Sequence, residues 1–462
     1  MAINSRFVSL VRIFLGALIL LAAAVLLTAP IPFHTWKTRP LDAFRLALGA
    51  NPHPVELRHP PVHPLSAMAL LGQKLFYDPR LSGSGRMSCA SCHSPDHAYG
   101  PPDASAVMLG GPDLKTAGFR AVPSLRYLYR QPAFSIGPDA PGDNDQVMTL
   151  QQQATVAAKH ARVLKSATSP LAAANNLVPE GGLFWDGRAD TLQQQADGPL
   201  FNPAEMDAGT PEQVAAKLAA GHYADDFRRL FGPAIFSSPK QAVAEAMFAI
   251  ARYQIEDQSF HPFTSKFDAW LAGDAHFTRA ELAGYLVFND PQKGNCAACH
   301  LDQPTRDRLP PLLTDHQYEA LGVPRNADIP ANHNPQYHDL GLCGPFRTDM
   351  RDQSQYCGMF LTPSLRNVAT RKMLFHNGVF HSLDKALDWY VNRDLHPERF
   401  YPRDGSGKVI KYDDIPAQYR GNVDTKDAPF DRHPGDAPAL SEAEIQDVIA
   451  FLKTLSDGYI KR

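Results

Sequence analysis

The pentapeptide Cys89-Ala-Ser-Cys-His93 recurs as Cys296-Ala-Ala-Cys-His300, and this repeat constrains the fold more than any other feature. The C-x-x-C-H spacing is the attachment signature of a c-type haem. Two thiols one short turn apart add to the two vinyl groups of one porphyrin, and the histidine that follows is held beneath the iron as its axial ligand. The pattern also contains the bare C-x-x-C of a redox dithiol, but the histidine in place both times favours haem. The chain therefore reads as a dihaem protein with Cys89, Cys92, Cys296 and Cys299 as attachment points and His93 and His300 as iron ligands.

The surroundings of the two motifs repeat as well. Gly72-Gln-Lys-Leu-Phe-Tyr-Asp-Pro79 precedes the first, and Gly284-Tyr-Leu-Val-Phe-Asn-Asp-Pro291 precedes the second. Helix, Phe-x-Asp-Pro, loop and haem motif thus occur twice, as expected of two tandem cytochrome c-like units. Ser66 to Phe76 has apolar residues at helical spacing and stops at Asp78-Pro79. Further helices are expected over Pro211–Phe231 with Thr210 as N-cap, over Ala242–Ile255, and over the amphipathic stretches Ser382–Asn392 and Ser441–Leu455. No run of strands stands out. The 40 prolines and 31 glycines predict long ordered loops between modest helices. The fold class is mainly α: two tandem cytochrome c-like haem domains with long loops.

With 462 residues the chain is long enough for more than one core. Its net charge of −3 leaves no basic footprint for nucleic acid. Arg6 and Arg12 precede the uncharged run Ile13–Leu27, a basic segment followed by an apolar one, as in a secretory signal. Counted through Phe33, the apolar stretch approaches the roughly 20 residues that span a bilayer. Residues 1–33 are expected to be a signal peptide or a membrane anchor, with the globular part exported to the periplasm or tethered to the inner membrane. Residues 34–62, polar and proline-rich, read as a linker. The haem domains follow at 63–260 and 261–462, the first with an insert at 134–181 in which Gly137–Asp145 reads as a loop and Met148–Ser166 as a helix. Two cysteines remain, Cys343 and Cys357. In an oxidising compartment a disulfide is the favoured reading, and a pair of buried thiols is the alternative.

The run Leu183-Phe-Trp-Asp-Gly-Arg-Ala-Asp-Thr-Leu-Gln-Gln-Gln-Ala-Asp-Gly-Pro-Leu-Phe-Asn-Pro-Ala-Glu-Met206 closely resembles the bacterial dihaem cytochrome c peroxidases and their relative MauG. Thr362-Pro-Ser-Leu-Arg-Asn367 and Leu374-Phe-His-Asn-Gly378 match the second domain of that family. The resemblance implies that peroxide reacts at the N-terminal haem and that the C-terminal haem relays electrons. It implies Glu205 as the distal acid–base residue, moving a proton between the two peroxide oxygens. Gln195 would hydrogen-bond in the same pocket, and Trp185 would bridge the haems. Outside the motif, each of these three residues would read as core or surface.

Three departures from the family pattern qualify the expectation. Classical members often cap the peroxide-binding iron with a histidine shortly before a segment like Ala121-Val-Pro-Ser-Leu125, whereas Asp113–Ala121 holds none. The first haem is then expected to rest open, with His97 and His160 as the remaining candidates for a cap. A methionine usually ligates the second iron, and aligned from His376 its place falls on Tyr390, as in MauG; Met373 and Met359 are the alternatives. A phenolate stabilises ferric and higher oxidation states, so the two irons are expected to share both oxidising equivalents of peroxide in a bis-ferryl state. Third, the family's interdomain calcium uses an asparagine side chain where Ala121 stands. Its other ligands are carbonyls, so calcium stays open.

The implied function is a periplasmic dihaem peroxidase that reduces hydrogen peroxide to water, with electrons supplied by a small redox protein, a cytochrome c or a cupredoxin. The first alternative is MauG-like oxidation of an unknown protein substrate. In MauG the hole leaves through a tryptophan just before the second haem motif, but Pro291–Asn295 has no aromatic residue; Trp270 and Trp389 are other candidate exits. The second alternative is a non-catalytic electron carrier, which needs both irons capped by strong protein ligands.

Overall fold

A computed structural model describes residues 40–138 and 177–461. After a short helix α1 (Pro40–Ala47), Ser66 Oγ accepts the Ala69 N–H at 3.1 Å and starts α2 (Ala67–Phe76). Asp78 then caps a 3₁₀ turn at Pro79–Leu81, where a stop was expected. After α3 (Leu192–Phe201) come α4 (Pro211–Ala220) and α5 (Ala224–Phe231). These last two were expected as one helix. Gly221 interrupts them, its amide closing a tight turn onto Leu218 O. Thr210 caps α4 in a reciprocal box with Gln213. The long helix α6 (Pro239–Glu256) completes the first half, and α7 (Lys266–Leu271), α8 (Arg279–Asn289), α9 (Leu383–Asn392) and α10 (Glu442–Lys453) build the second.

The internal repeat has a packing cause. α2 crosses α6 at Gly72, where a Cβ would stand 1.9 Å from Ala249 O; α8 crosses α10 at Gly284, where a Cβ would stand 1.9 Å from Asp447 O. Each half brings two helix backbones into contact at a glycine of the repeat. Around the first crossing lie Leu71, Leu75, Phe76, Val214, Leu218, Met247, Ile250 and Tyr253; around the second, Phe267, Trp270, Phe288, Val448, Phe451 and Leu452. The two clusters are separate hydrophobic cores.

Three two-stranded antiparallel ribbons occur among the described residues, more strand than the sequence suggests: β1 (Leu109–Gly110) with β2 (Thr116–Ala117), β3 (Ser135–Pro138) with β4 (Leu177–Glu180), and β5 (Tyr318–Glu319) with β6 (Phe360–Leu361). The β3–β4 ribbon brackets the expected insert. Gly137, read as the start of a loop, sits in β3 opposite Val178; the helix expected over Met148–Ser166 lies outside the described residues.

The segment read as a linker does more than connect. Gly49 O accepts both the Trp270 indole N–H (2.9 Å) and the Phe277 amide (2.8 Å), and Val55 N–H reaches Leu271 O (2.9 Å), so residues 49–58 strap the second core. Side chains join the backbone in these contacts: Asn51 Nδ2 donates to Leu271 O at 3.1 Å, and Leu57 packs against the second core. Cys343 and Cys357 form a disulfide with Cα atoms 5.0 Å apart. No helix of the described residues is long and apolar enough to cross a membrane, and the expected leader or anchor at 1–33 lies outside them.

Candidate active site

The first haem motif forms a single helical turn, Cys89–Cys92, at the edge of the first core. Ser91 Oγ accepts the Ser88 amide at 3.0 Å, and His93 N–H closes onto Cys89 O at 2.9 Å. Both thiols and the imidazole line a cavity of about 1150 Å³, mouth included. His93 Nδ1 donates to Tyr99 O at 3.0 Å, which leaves Nε2 as the metal-facing nitrogen. Ala98 and Tyr99 both take positive φ to bring that carbonyl round. Burial lowers the His93 pKa to about 4, so the ring is neutral and ready to ligate. Burial also pushes the Cys89 and Cys92 thiols up to about 12. A redox dithiol needs a lowered pKa, so the haem reading gains over the dithiol one.

The same cavity carries the expected acid. Glu205 lines this cavity with Gln195 and Arg188. Asn202 Nδ2 donates to Glu205 Oε1 at 3.0 Å. Burial raises the Glu205 pKa above its ordinary 4.5, while Arg188 and the Asn202 hydrogen bond pull it back. The β1–β2 ribbon fixes the carboxyl's backbone: Gly111 N–H donates to Glu205 O at 2.8 Å, and a Cβ on Gly110 would stand 2.6 Å from the same carbonyl. Gln195 is buried on α3, whose first turn Thr191 caps through Gln194 N–H. Of the candidate caps, His97 Nδ1 pairs with Ser94 Oγ at 3.1 Å and does not line the cavity; His160 lies outside the described residues.

The second cavity, about 1890 Å³ with its mouth, holds Cys296, Cys299 and His300. Here His300 Nδ1 donates to Leu313 O at 3.0 Å, and burial lowers its pKa to about 4. Tyr390 lines this cavity from α9, its ring between Phe375 (5.8 Å) and Phe430 (5.2 Å). Burial drives the phenol well above its ordinary value, so only a strong cation at its oxygen makes it a phenolate. The alternatives are placed elsewhere. Met373 is buried against Ala106, Val107 and Ile329, and Met359 packs beside Tyr318 and Leu342; neither lines the cavity.

Between the cavities stands Trp185, the one described residue that lines both. Its indole N–H donates to Ala121 O at 2.8 Å, and its own carbonyl accepts the Leu361 amide at 3.0 Å. Beside it lies a buried ion cluster that sequence reasoning missed. Arg120 bonds Asp339 through two nitrogens (2.6 and 2.7 Å) and Asp186 through a third (2.7 Å); Asp186 also pairs with Arg188 at 2.9 Å. These pairs join the segment before Val122 to the Trp-Asp-Gly-Arg motif and to the second half. Arg188 and Asn202 were visible inside the family motif without roles; Arg120 and Asp339 carried no local signal. Among the described residues no group of three His, Cys, Asp or Glu side chains could hold a metal ion. The candidate exits Trp270 and Trp389 are both buried, at 2% and 0% exposure, so neither presents its ring to a docked protein.

Two buried polar atoms on the cavity walls lack protein partners, Gln254 Oε1 in the first and His376 Nε2 in the second. With two thiols and one oriented imidazole per cavity, they fit a bound porphyrin with polar edges. Residues 66–276 match the family model described as di-haem cytochrome c peroxidase. The methylamine utilization protein MauG of Paracoccus denitrificans is 32% identical over 404 residues, covering 85% of this chain and 89% of the relative. The chain belongs to the dihaem cytochrome c peroxidase family. Two c-type haems are therefore its cofactors, and the two Cys-Cys-His sets are the residues that would hold them. The cytochrome c551 peroxidase of Nitrosomonas europaea is 28% identical over 392 residues, covering 81% and 90% of the two chains. The diheme peroxidase BthA of Burkholderia thailandensis superposes with a TM-score of 0.72 at 33% identity, over 87% of this chain and 89% of that one. This member of the family thus matches its dihaem relatives over most of their length.

Proposed function

We propose that the chain reduces hydrogen peroxide to water in the periplasm, at the cavity of residues 63–260, with electrons arriving through the cavity of residues 261–462. The observation that supports this reading is Glu205: a carboxyl on the wall of the first Cys-Cys-His cavity, with one oxygen tied to Asn202 and with Gln195 and Arg188 lining the same cavity. The haem, when bound, supplies the redox-active iron. The protein's own residues do the rest. Glu205 takes a proton from the peroxide oxygen near it and returns it to the departing oxygen, so that the O–O bond breaks heterolytically. Gln195 orients the peroxide, and Arg188 keeps a useful fraction of Glu205 ionised against its burial. Two electrons and two protons complete the conversion to two waters. Trp185, touching both cavities, carries the charge between them. Tyr390 would hold the second iron through its phenol oxygen. A small redox protein is the donor.

Mixing the ferric protein with one equivalent of hydrogen peroxide tests the reading. A change in the haem spectrum within milliseconds, without prior reduction, is the expected result. No change until one haem is reduced would replace the open first site with a capped one.

A further inference from the structure

A group of buried tyrosines behind the second cavity has no part in the reaction described so far. Gly322 forms part of that cavity's wall. On its far side the ring of Tyr412 lies so close that a Cβ on Gly322 would stand 2.4 Å from Tyr412 Cδ1. Tyr412 is thus one glycine away from the cofactor space. Tyr401 packs against it edge-on, ring centroids 5.8 Å apart, and donates its hydroxyl to Gly322 O at 2.6 Å. From the other direction, Tyr390 touches Trp389 (5.2 Å), whose indole N–H approaches the Tyr401 hydroxyl without reaching hydrogen-bond geometry. Four oxidisable side chains therefore run in near-contact from the cavity wall to Tyr412.

The end of the chain is equipped for proton transfer. Tyr412 donates its hydroxyl to Asp394 Oδ1 at 2.8 Å. Asp394 is buried and paired with Arg393 and Lys411, which hold it ionised. Tyr412 sits at φ +58°, a strained conformation for a bulky residue, and it is in this conformation that the phenol meets the carboxylate. A tyrosine oxidised by one electron becomes a strong acid, so a carboxylate already in hydrogen bond contact is what its oxidation requires.

We propose that Tyr412 is a proton-coupled redox site that holds one oxidising equivalent when no electron donor is present. The inference rests on the peroxidase reading, which supplies hydrogen peroxide as the oxidant. One electron leaves the Tyr412 ring and reduces, by one, the oxidising equivalents that peroxide has deposited in the cavities. The phenolic O–H bond breaks and its proton forms a new O–H bond on Asp394, leaving a neutral tyrosyl radical. A one-electron donor reverses both transfers.

The test uses the full-length holoprotein, mixed with one equivalent of hydrogen peroxide without donor and frozen for EPR at intervals. The wild type should develop a tyrosyl radical as its oxidised haem spectrum decays. In Tyr412→Phe that spectrum should form at the wild-type rate, the radical signal should be lost, and the decay should slow severalfold. As a second arm, peptide mass spectrometry should find peroxide-dependent oxidation at Tyr412 in the wild type. A radical signal and decay unchanged in Tyr412→Phe would overturn the proposal while leaving the peroxidase reading intact. A wild type whose haems do not respond to peroxide would overturn both.

Discussion

Glu205→Gln is the substitution that most directly probes the first cavity. The replacement keeps shape, and the Asn202 amide at 3.0 Å still finds an oxygen, so the pocket should keep its form. What disappears is the exchangeable proton. A positioned acid–base group contributes about 10²- to 10⁴-fold. Gln195 and Arg188 remain on the same wall to orient peroxide, which places the expected loss in the lower part of that range, about 10²- to 10³-fold, or roughly 3–4 kcal/mol of barrier. The pH dependence is more specific. Burial raises the carboxyl's pKa above 4.5, with Arg188 and Asn202 opposing. Because the group must begin ionised to take the peroxide proton, the wild-type rate falls as pH drops through that raised pKa. In Glu205→Gln this acid limb should vanish. In Arg188→Met, which removes the charge favouring the carboxylate, the limb should move to higher pH. Stopped-flow rates of the haem spectral change across pH measure all three. A Gln variant with the wild-type rate, or with the same acid limb, would show that another group moves the proton.

Three further outcomes follow from other parts of the molecule. Gly284→Ala places a methyl against the Asp447 backbone, where no side-chain rotation gives relief; α8 and α10 must separate, and stability should fall by about 1–3 kcal/mol or more, read from denaturant unfolding. Gly72→Ala should do the same to the first core. Tyr390→Met should raise the second haem's reduction potential, since a neutral thioether favours the ferrous state over a phenolate; a potentiometric titration that finds no shift removes Tyr390 as ligand. Arg120→Met leaves Asp339 buried without its partner, at a cost of about 3–5 kcal/mol near neutral pH. Burial alone would raise the Asp339 pKa, and Arg120 outweighs it to hold the carboxyl ionised. A depressed carboxyl pKa stabilises the fold above the ordinary carboxyl range and is lost below it, so the Arg120→Met deficit should shrink as pH falls towards 4.

What could be read from the sequence was whatever the chemistry ties to spacing. C-x-x-C-H carries its own geometry, and the second copy removed the ambiguity of the first. The Gly-x-x-x-Phe-x-Asp-Pro repeat is visible as a pattern, but its cause is a non-local one, the backbone contacts of Gly72 with Ala249 and of Gly284 with Asp447. Helix boundaries marked by Ser66, Thr210, Ser382 and Ser441 fell within a residue or two, because a capping hydroxyl is a local device. The misses are non-local. Nothing around Arg120 indicates that it will meet Asp186 and Asp339, 66 and 219 positions away. Nor does a polar, proline-rich composition show that the Gly49 carbonyl will accept two hydrogen bonds from the second core.

The two halves use one scaffold to build two different environments, and the difference lies in the residues that line each cavity beyond its Cys-Cys-His set. The near sides are alike: a helix crossing at glycine, a Cys-Cys-His turn, and an imidazole whose Nδ1 is held by a carbonyl at 3.0 Å in both. The far sides diverge. In the first half α3 presents Gln195, and the turns on either side of it present Arg188 and Glu205, groups that bind and move protons. In the second, α9 presents a phenol packed between aromatic rings, which suits a fixed ligand, and the buried carboxyls Asp339 and Asp414 are paired with Arg120 and Arg325. If the far wall alone assigns the roles, Tyr390→Phe should open the second site to small ligands such as cyanide without giving it peroxidase activity, because the buried carboxyls of that cavity, Asp339 and Asp414, are held by Arg120 and Arg325. Cyanide titration followed by the haem spectrum would find two binding events in the variant against one in the wild type. A variant whose second site binds cyanide and also turns over peroxide with Glu205 replaced by Gln would show that the scaffold, not the far wall, confers the activity.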